Sequence, residues 1–387
     1  MQRNVAYLLL IVMLGLIALG LVMLSSTSAV LAPSAHDMDG VYSNLRKQFG
    51  WLVISGIVCV FLSRYDYQKM LRYAPWVIGF ACFMLVLCLI PHVGLRINGS
   101  PRWLRLAGWT YQPSEFAKLA LILFLSWWMG KNQRHAGELK RGLLLPVLCT
   151  LPLLLLMVKQ QDYGTTAIML AILITMMFVA GTRMLYLVPL PILGFTGLII
   201  YAISTPERWA RIIAWWTSLM HPEHVIAGGK GWQQLQALIA LGSGGLSGLG
   251  LGNSRQKMYW LPEVNTDFVF PIIGEELGMW VTLSVVVAFL LLMLCSGWIT
   301  IHAPDPAGVM LGTGLTVMIA LQALMNLAVV TSIMPPKGIP LPFISYGGSN
   351  LLTCMAAIGI LFNMHRQGIY QVPAVPKPTT KAYSVRM

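Results

Sequence analysis

Charge is what this chain has least of. Only 10% of its 387 residues are charged and 57% are hydrophobic, where a soluble domain carries roughly 25% charged residues. One water-soluble core could not hide that much apolar surface, which excludes an ordinary globular protein and leaves no basis for a nucleic-acid partner. Carboxylates are scarce, 13 against 26 Lys and Arg. All six cysteines (Cys59, Cys82, Cys88, Cys149, Cys295, Cys354) lie inside apolar runs, so they read as packing residues, not as a disulfide framework or metal cluster. No Ser-His-Asp order and no His-Glu-x-x-His helix appears. His221 and His224 are three apart, with no further ligand at zinc spacing. There is no convincing internal repeat.

What the chain has instead is long apolar runs. Crossing a bilayer core takes about 20 such residues. Runs bounded by charge and by Pro/Gly clusters fall at about 5–25, 50–63, 74–91, 114–130, 143–158, 164–181, 185–203, 268–297, 307–331 and 345–363. The expected fold is therefore an all-α polytopic membrane protein with about ten transmembrane helices. The first run has the flanks of a signal peptide but exceeds the 7–15 residues of a signal h-region, so it is read as an uncleaved first helix. The count depends on two places: the short run at 143–158, and the pair separated only by Thr182-Arg183-Met184. With the N-terminus inside, Lys and Arg are about twofold denser in the inner segments than in the outer ones. Both termini are thus expected in the cytoplasm. The outer face is nevertheless basic too, which suits either an anionic ligand such as pyrophosphate or lipid headgroups.

One outer segment stands apart, the loop of about 204–267 between spans seven and eight. It contains Gly228-Gly229-Lys230-Gly231 and the Gly-rich tract 242–252. Such a tract forms no stable helix and permits close backbone approach; without a following Gly-Lys-Ser/Thr it is no Walker loop. Residues 1–363 form one transmembrane domain, and 364–387, rich in proline, reads as a disordered cytoplasmic tail.

Ionisable groups in or beside spans are functional candidates by default. Glu115, Asp162, Glu263, Asp267, Glu275 and Glu276 all sit at outer helix ends. Glu115 and Lys118, three apart, share a helix face and can pair, either for function or as a buried ion pair locking helices. Arg102 and Arg105, with Trp103 and Trp109, make a basic-aromatic loop before the fourth span. Asp267 ends the long loop where the eighth span begins, at the membrane–water boundary. Partial burial would raise its pKa and cations would lower it. It can serve as a base for a hydroxyl on a lipid-anchored substrate, or as a cap at a helix N-terminus.

Four motifs, in order, carry a resemblance over nearly the whole chain. They are Arg102-Trp103-Leu104 with Gln112-Pro113-Ser114-Glu115-Phe116-Ala117-Lys118; Gln161-Asp162-Tyr163-Gly164-Thr165; Thr266-Asp267-Phe268-Val269-Phe270 with Gly274-Glu275-Glu276-Leu277-Gly278; and Pro340-Leu341-Pro342-Phe343-Ile344-Ser345-Tyr346-Gly347-Gly348-Ser349. Together they resemble the SEDS family, which includes RodA and FtsW. The segments 240–245 and 250–257, Pro336-Lys337-Gly338 and Asn350 resemble the cell-division branch more than the elongation branch. Two positions depart from the family pattern: Asn265 where His is usual, and Gln161 where Pro is usual.

The resemblance implies a peptidoglycan glycosyltransferase that polymerises lipid II at the outer face of the cytoplasmic (inner) membrane, at the division septum, and it carries the catalytic aspartate onto Asp267. Lys47, Arg102, Trp103, Glu115 and Lys118 become the expected contacts for the sugar and pyrophosphate, with Glu115 holding Lys118. Pro340, Pro342, Ser345, Gly347, Gly348 and Ser349 are expected to be structural. A divalent cation (Mg or Mn) is compatible with the departure of undecaprenyl pyrophosphate. A class B penicillin-binding protein is the expected partner, because the chain has no transpeptidase domain of its own. Other readings of the same features are a lipid II flippase, an elongation polymerase, or a scaffold recruiting the transpeptidase.

Overall fold

The computed structural model describes residues 2–28, 38–97, 99–106, 108–226, 229, 231–258 and 260–370. Fourteen α-helices follow one another among them: α1 (Gln2–Ser28), α2 (Met38–Arg64), α3 (Tyr67–Arg72), α4 (Ala74–Leu89), α5 (Pro113–Lys131), α6 (Leu145–Lys159), α7 (Tyr163–Val179), α8 (Met184–Leu187), α9 (Pro189–Ser204), α10 (Pro206–Met220), α11 (Trp232–Ser243), α12 (Val269–Ile301), α13 (Pro306–Val330) and α14 (Gly348–Tyr370). The chain is a helical, multi-pass membrane protein. Among the described residues, five stretches, Asn4–Ser28, Tyr42–Arg64, Lys140–Lys159, Val269–Ile301 and Pro306–Val330, are long and apolar enough to cross a bilayer. The doubtful run at 143–158 is among them, because a π-helical turn over Lys140–Leu144 leads straight into α6.

Local chemistry sets the helix ends. Proline occupies the first turn of α5 and of α13, where its missing N–H costs nothing. Asp305 caps α13 by accepting from the Gly308 N–H at 2.6 Å. α13 runs through the centre of the bundle against α5, α7 and α12, while α14 lies along α2. Small residues allow that second contact: a Cβ on Gly359 would meet the Cys59 carbonyl oxygen at 2.5 Å.

Four expectations need correction. The segment before α5 is not a plain loop but a small antiparallel sheet of β1 (Gly94–Ile97), β2 (Ser100–Leu106) and β3 (Trp109–Tyr111) within the helical fold. Asn98-Gly99 between alternating residues is a hairpin signal that the span-by-span reading passed over. The loop at 204–267 contains two helices, α10 and α11. Lys47, placed before the second span, lies inside α2. α14 continues to Tyr370, so helix occupies 364–370, the first seven residues of the expected tail; residues 371–387, like Gly228 and Lys230, lie outside the described residues.

The Gly-rich tract does approach another backbone closely. Its partner is the start of α12, which breaks at Gly278 (φ 81°, ψ −177°) into a short N-terminal stub and a long apolar part. The N–H groups of Leu249 and Gly250 donate to the carbonyls of Glu275 and Glu276, both at 2.9 Å, and that of Met279 donates to Gly245 at 3.0 Å. A Cβ on Gly248 would stand 2.2 Å from the Glu276 carbonyl oxygen, at a φ of 77° that only glycine adopts freely. Gly248→Ala is therefore expected to cost about 2 kcal/mol or more, read as a lowered Tm in detergent. An unchanged Tm would contradict this docking.

Candidate active site

Asp267 lies in the last turn of the long loop, one residue before the Phe268 cap of α12. Three elements hold it. Asn326 of α13 donates both amide hydrogens, one to the Asp267 carbonyl at 2.8 Å and one to the Ile339 carbonyl at 2.7 Å. The Tyr346 N–H donates to the Asn265 carbonyl at 2.8 Å, tying the signature segment to the same loop end. Gly338 faces the carboxylate so closely that a Cβ there would be 2.7 Å from Oδ2. The backbone is thus fixed on two sides.

The carboxylate itself is different. It is half-buried and accepts no hydrogen bond among the described residues. The cap alternative is not realised, since no side chain caps the N-terminus of α12. Burial pushes the carboxyl up to about 7, and the neighbouring Glu263 carboxylate adds to the rise. A group that titrates near neutrality and has no fixed partner can take up and release a proton.

The signature residues pack beside this loop end. Ser345 Oγ accepts from the Leu341 N–H at 2.8 Å, and Pro342 O accepts from the Ile344 N–H at 2.8 Å, folding the segment back on itself. Pro340 O accepts from Gln322 Nε2 at 3.0 Å. Ser349 Oγ accepts from the Gln112 N–H at 2.9 Å, and Gly347 donates to Gln48 Oε1 at 3.3 Å. Gly348 packs on Trp51, whose ring meets Trp109 edge-on at 5.2 Å. In this structure these serines, glycines and prolines are engaged in contacts within the protein.

The cations divide into two kinds. Lys118 does not face a ligand: it is 1% exposed, with Nζ 3.0 and 2.9 Å from the Glu115 carboxylate oxygens and 2.6 Å from Gln322 Oε1. The expectation that Lys118 and Glu115 contact pyrophosphate is corrected, because both are consumed in a buried pair beneath the signature segment. Arg102 sits on β2 beside Trp103, partly exposed. It donates to the Gln160 and Gln161 carbonyls at 3.3 and 2.5 Å and lies 3.7 Å from Asp162 Oδ1. Lys47 is exposed, on the turn of α2 whose Gln48 touches the signature.

Sequence reasoning missed three groups. Exposed Lys337 lies next to Gly338, its Nζ 5.0 Å over the Tyr163 ring, which brings the Asp162 motif to the signature segment. Gln322 and Asn326, polar residues one turn apart in an apolar helix, were the available signal for the α13 clamp. Lys257, Glu276 and Ser26 form a buried knot, Nζ to Glu276 Oε1 at 2.6 Å and to Ser26 Oγ at 2.9 Å, while Glu275 accepts from Ser254 Oγ and the Arg255 N–H. That knot pins the loop to α1 and α12. The only group of three potential metal ligands among the described residues is the exposed set His221, Glu223 and His224.

Comparison with known proteins gives this arrangement a family. The model of the FtsW/RodA/SpoVE family, described as "Cell cycle protein", matches residues 6–369. The chain belongs to that family. It is 36% identical to the probable peptidoglycan glycosyltransferase FtsW of Trichlorobacter lovleyi, over 92% of each chain. It is 38% identical to the stage V sporulation protein E of Bacillus subtilis, over 94% of this chain and 97% of that one. Among solved structures, the crystal structure of Thermus thermophilus RodA superposes with a TM-score of 0.66 at 25% identity, covering 93% and 96%. A chain from a study of polymerization and crosslinking by a peptidoglycan synthase complex reaches 0.72 at 24%, covering 94% and 98%, and shares the fold.

One departure from the family pattern now has a physical reading. Gln161 adopts a φ of 63°, which the proline usual there cannot reach. Its carbonyl is the one that Arg102 grips. The turn that positions Arg102 therefore takes a form in this member that a proline would forbid.

The Lys118 pair generates a stability prediction. Lys118→Met leaves Glu115 buried and unpaired, at an expected cost of about 3–5 kcal/mol. Adding Glu115→Leu should recover most of it. Thermal denaturation of both variants in detergent checks this, and a double variant as unstable as the single one would show that the pair is not the cause.

Proposed function

We propose that this membrane protein polymerises lipid II into peptidoglycan glycan strands, with Asp267 as general base. One observation carries the reading: Asp267 is a half-buried carboxyl raised to about 7, held firmly by its backbone and without a side-chain partner among the described residues. The relatives named as probable peptidoglycan glycosyltransferases supply the reaction class. In the proposed arrangement ten helices cross the cytoplasmic membrane, both termini are inside, and Asp267 opens to the outer face.

The steps follow from the charges. Asp267 takes the proton from the sugar 4-hydroxyl of an incoming lipid II, and that oxygen attacks the anomeric carbon of the growing strand. The bond to undecaprenyl pyrophosphate breaks, leaving negative charge on the diphosphate, which placed cations stabilise. Arg102, Lys47 and the newly recognised Lys337 are the candidates; Lys118 and Glu115 act only by supporting the floor. A divalent cation (Mg or Mn) would find two carboxylates here, Asp267 and Glu263, with substrate oxygens and water completing its shell. Bound, it would supply further positive charge for the leaving diphosphate.

A septal role is favoured by the FtsW-named relatives, although the sporulation-named relative is as similar. A class B penicillin-binding protein suits a chain that shares its fold with a polymerization–crosslinking assembly. A flippase remains the reading from another class. Polymerisation in detergent, where no sidedness exists, separates the two: glycan strands favour the enzyme, and transport in vesicles without strands favours the flippase.

Asp267→Ala should lower the polymerisation rate on purified lipid II by about 10²–10⁴-fold at unchanged expression, and near-wild-type rates would sink the assignment. The base must be deprotonated, so the rate should rise with pH through about 7. Because the Glu263 charge contributes to the raised value, Glu263→Gln should move the midpoint of that limb to lower pH. A pH–rate profile of both proteins reads this out.

A further inference from the structure

At the end of the bundle opposite Asp267, a cavity of about 380 Å³ opens between α3, α5 and the start of α13. The higher density of basic residues assigns that end to the cytoplasm. Arg72, Lys131, Gln68, Trp127 and Asp305 are among the residues that line it. The polar groups are unevenly satisfied. Asp305 is fully engaged, Oδ1 by the Gly308 N–H at 2.6 Å and Oδ2 by Gln68 Nε2 at 3.0 Å. Neither Arg72 nor Lys131 has a carboxylate partner among the described residues. Lys131 Nζ instead lies 5.6 Å over the Trp127 ring, which fixes the ammonium beside an indole at the mouth.

A cavity lined by two cations against one carboxylate, with one wall of tryptophan and apolar neighbours, keeps a net positive charge and fits an anion joined to an apolar body. We infer that it binds the phosphorylated headgroup of an anionic lipid of the inner leaflet. Arg72 supplies a forked donor for phosphate oxygens and Lys131 a point charge. Trp127 adds an indole, the side chain that concentrates at headgroup depth. The same phosphate chemistry is shared by free inorganic phosphate, which lacks the acyl chains that the apolar neighbours would cover. The bound lipid would brace α3 and α13 at the end of the bundle away from the reaction. This inference is independent of the role of Asp267.

The test is native mass spectrometry of the full chain released from detergent, titrated with phosphatidylglycerol, phosphatidylcholine or inorganic phosphate. The wild type should retain phosphatidylglycerol over phosphatidylcholine. Each cation near an anionic headgroup is worth about fivefold in binding, so Arg72→Ala with Lys131→Ala should reduce phosphatidylglycerol retention by roughly 25-fold. Both side chains are exposed, so the variant should fold, and Arg72→Lys with Lys131→Arg should keep the preference. Arg134→Ala, an exposed cation on the same face outside the cavity, should change nothing. Equal retention of the two lipids would overturn the inference, as would an equal loss in Arg134→Ala, which marks general surface attraction. Inorganic phosphate binding as tightly as phosphatidylglycerol would overturn the lipid assignment.

Discussion

A hydrocarbon slab offers no hydrogen bonds, so each polar group carried into it must find its partner within the chain. The organisation of the Asp267 end depends on how α13 meets that constraint. Gln322 and Asn326 stand one turn apart on the central helix, and between them they engage five groups: the carbonyls of Asp267, Ile339 and Pro340, Asn350 Oδ1, and the Lys118 ammonium. Two amide side chains thereby bind the end of the long loop, the signature segment and α5 to one helix. Removing either would leave several buried groups unpaired at once, which makes this clamp costly to lose.

The same constraint separates structural charge from working charge. The Lys118–Glu115 and Lys257–Glu276 pairs are almost wholly buried and each cation faces its own carboxylate. Asp267 is held by its backbone while its carboxylate stays open and close to neutral pKa. Such a group is expensive unless it has a use. The Gly-rich tract serves the same end indirectly: by docking backbone to backbone on the broken start of α12, it makes a rigid frame of a loop that composition alone would call flexible.

The sequence by itself determined the membrane class and most helix positions, and it made Asp267 a candidate. Those features are local: apolar length, breaker residues, and a carboxylate set directly before a span. The sheet around Arg102 was legible too, in Asn98-Gly99, a short hairpin signal set among much longer apolar helical runs. Only the tertiary structure decided which charges neutralise one another. Glu115–Lys118 at i, i+3 reads the same in sequence whether it faces a ligand or a neighbouring helix. The choice fell to Gln322, some two hundred positions later. Lys337 and Asn326 likewise gained their importance from the return of the chain to Asp267, a long-range contact that packing of α13 sets and that no local pattern encodes.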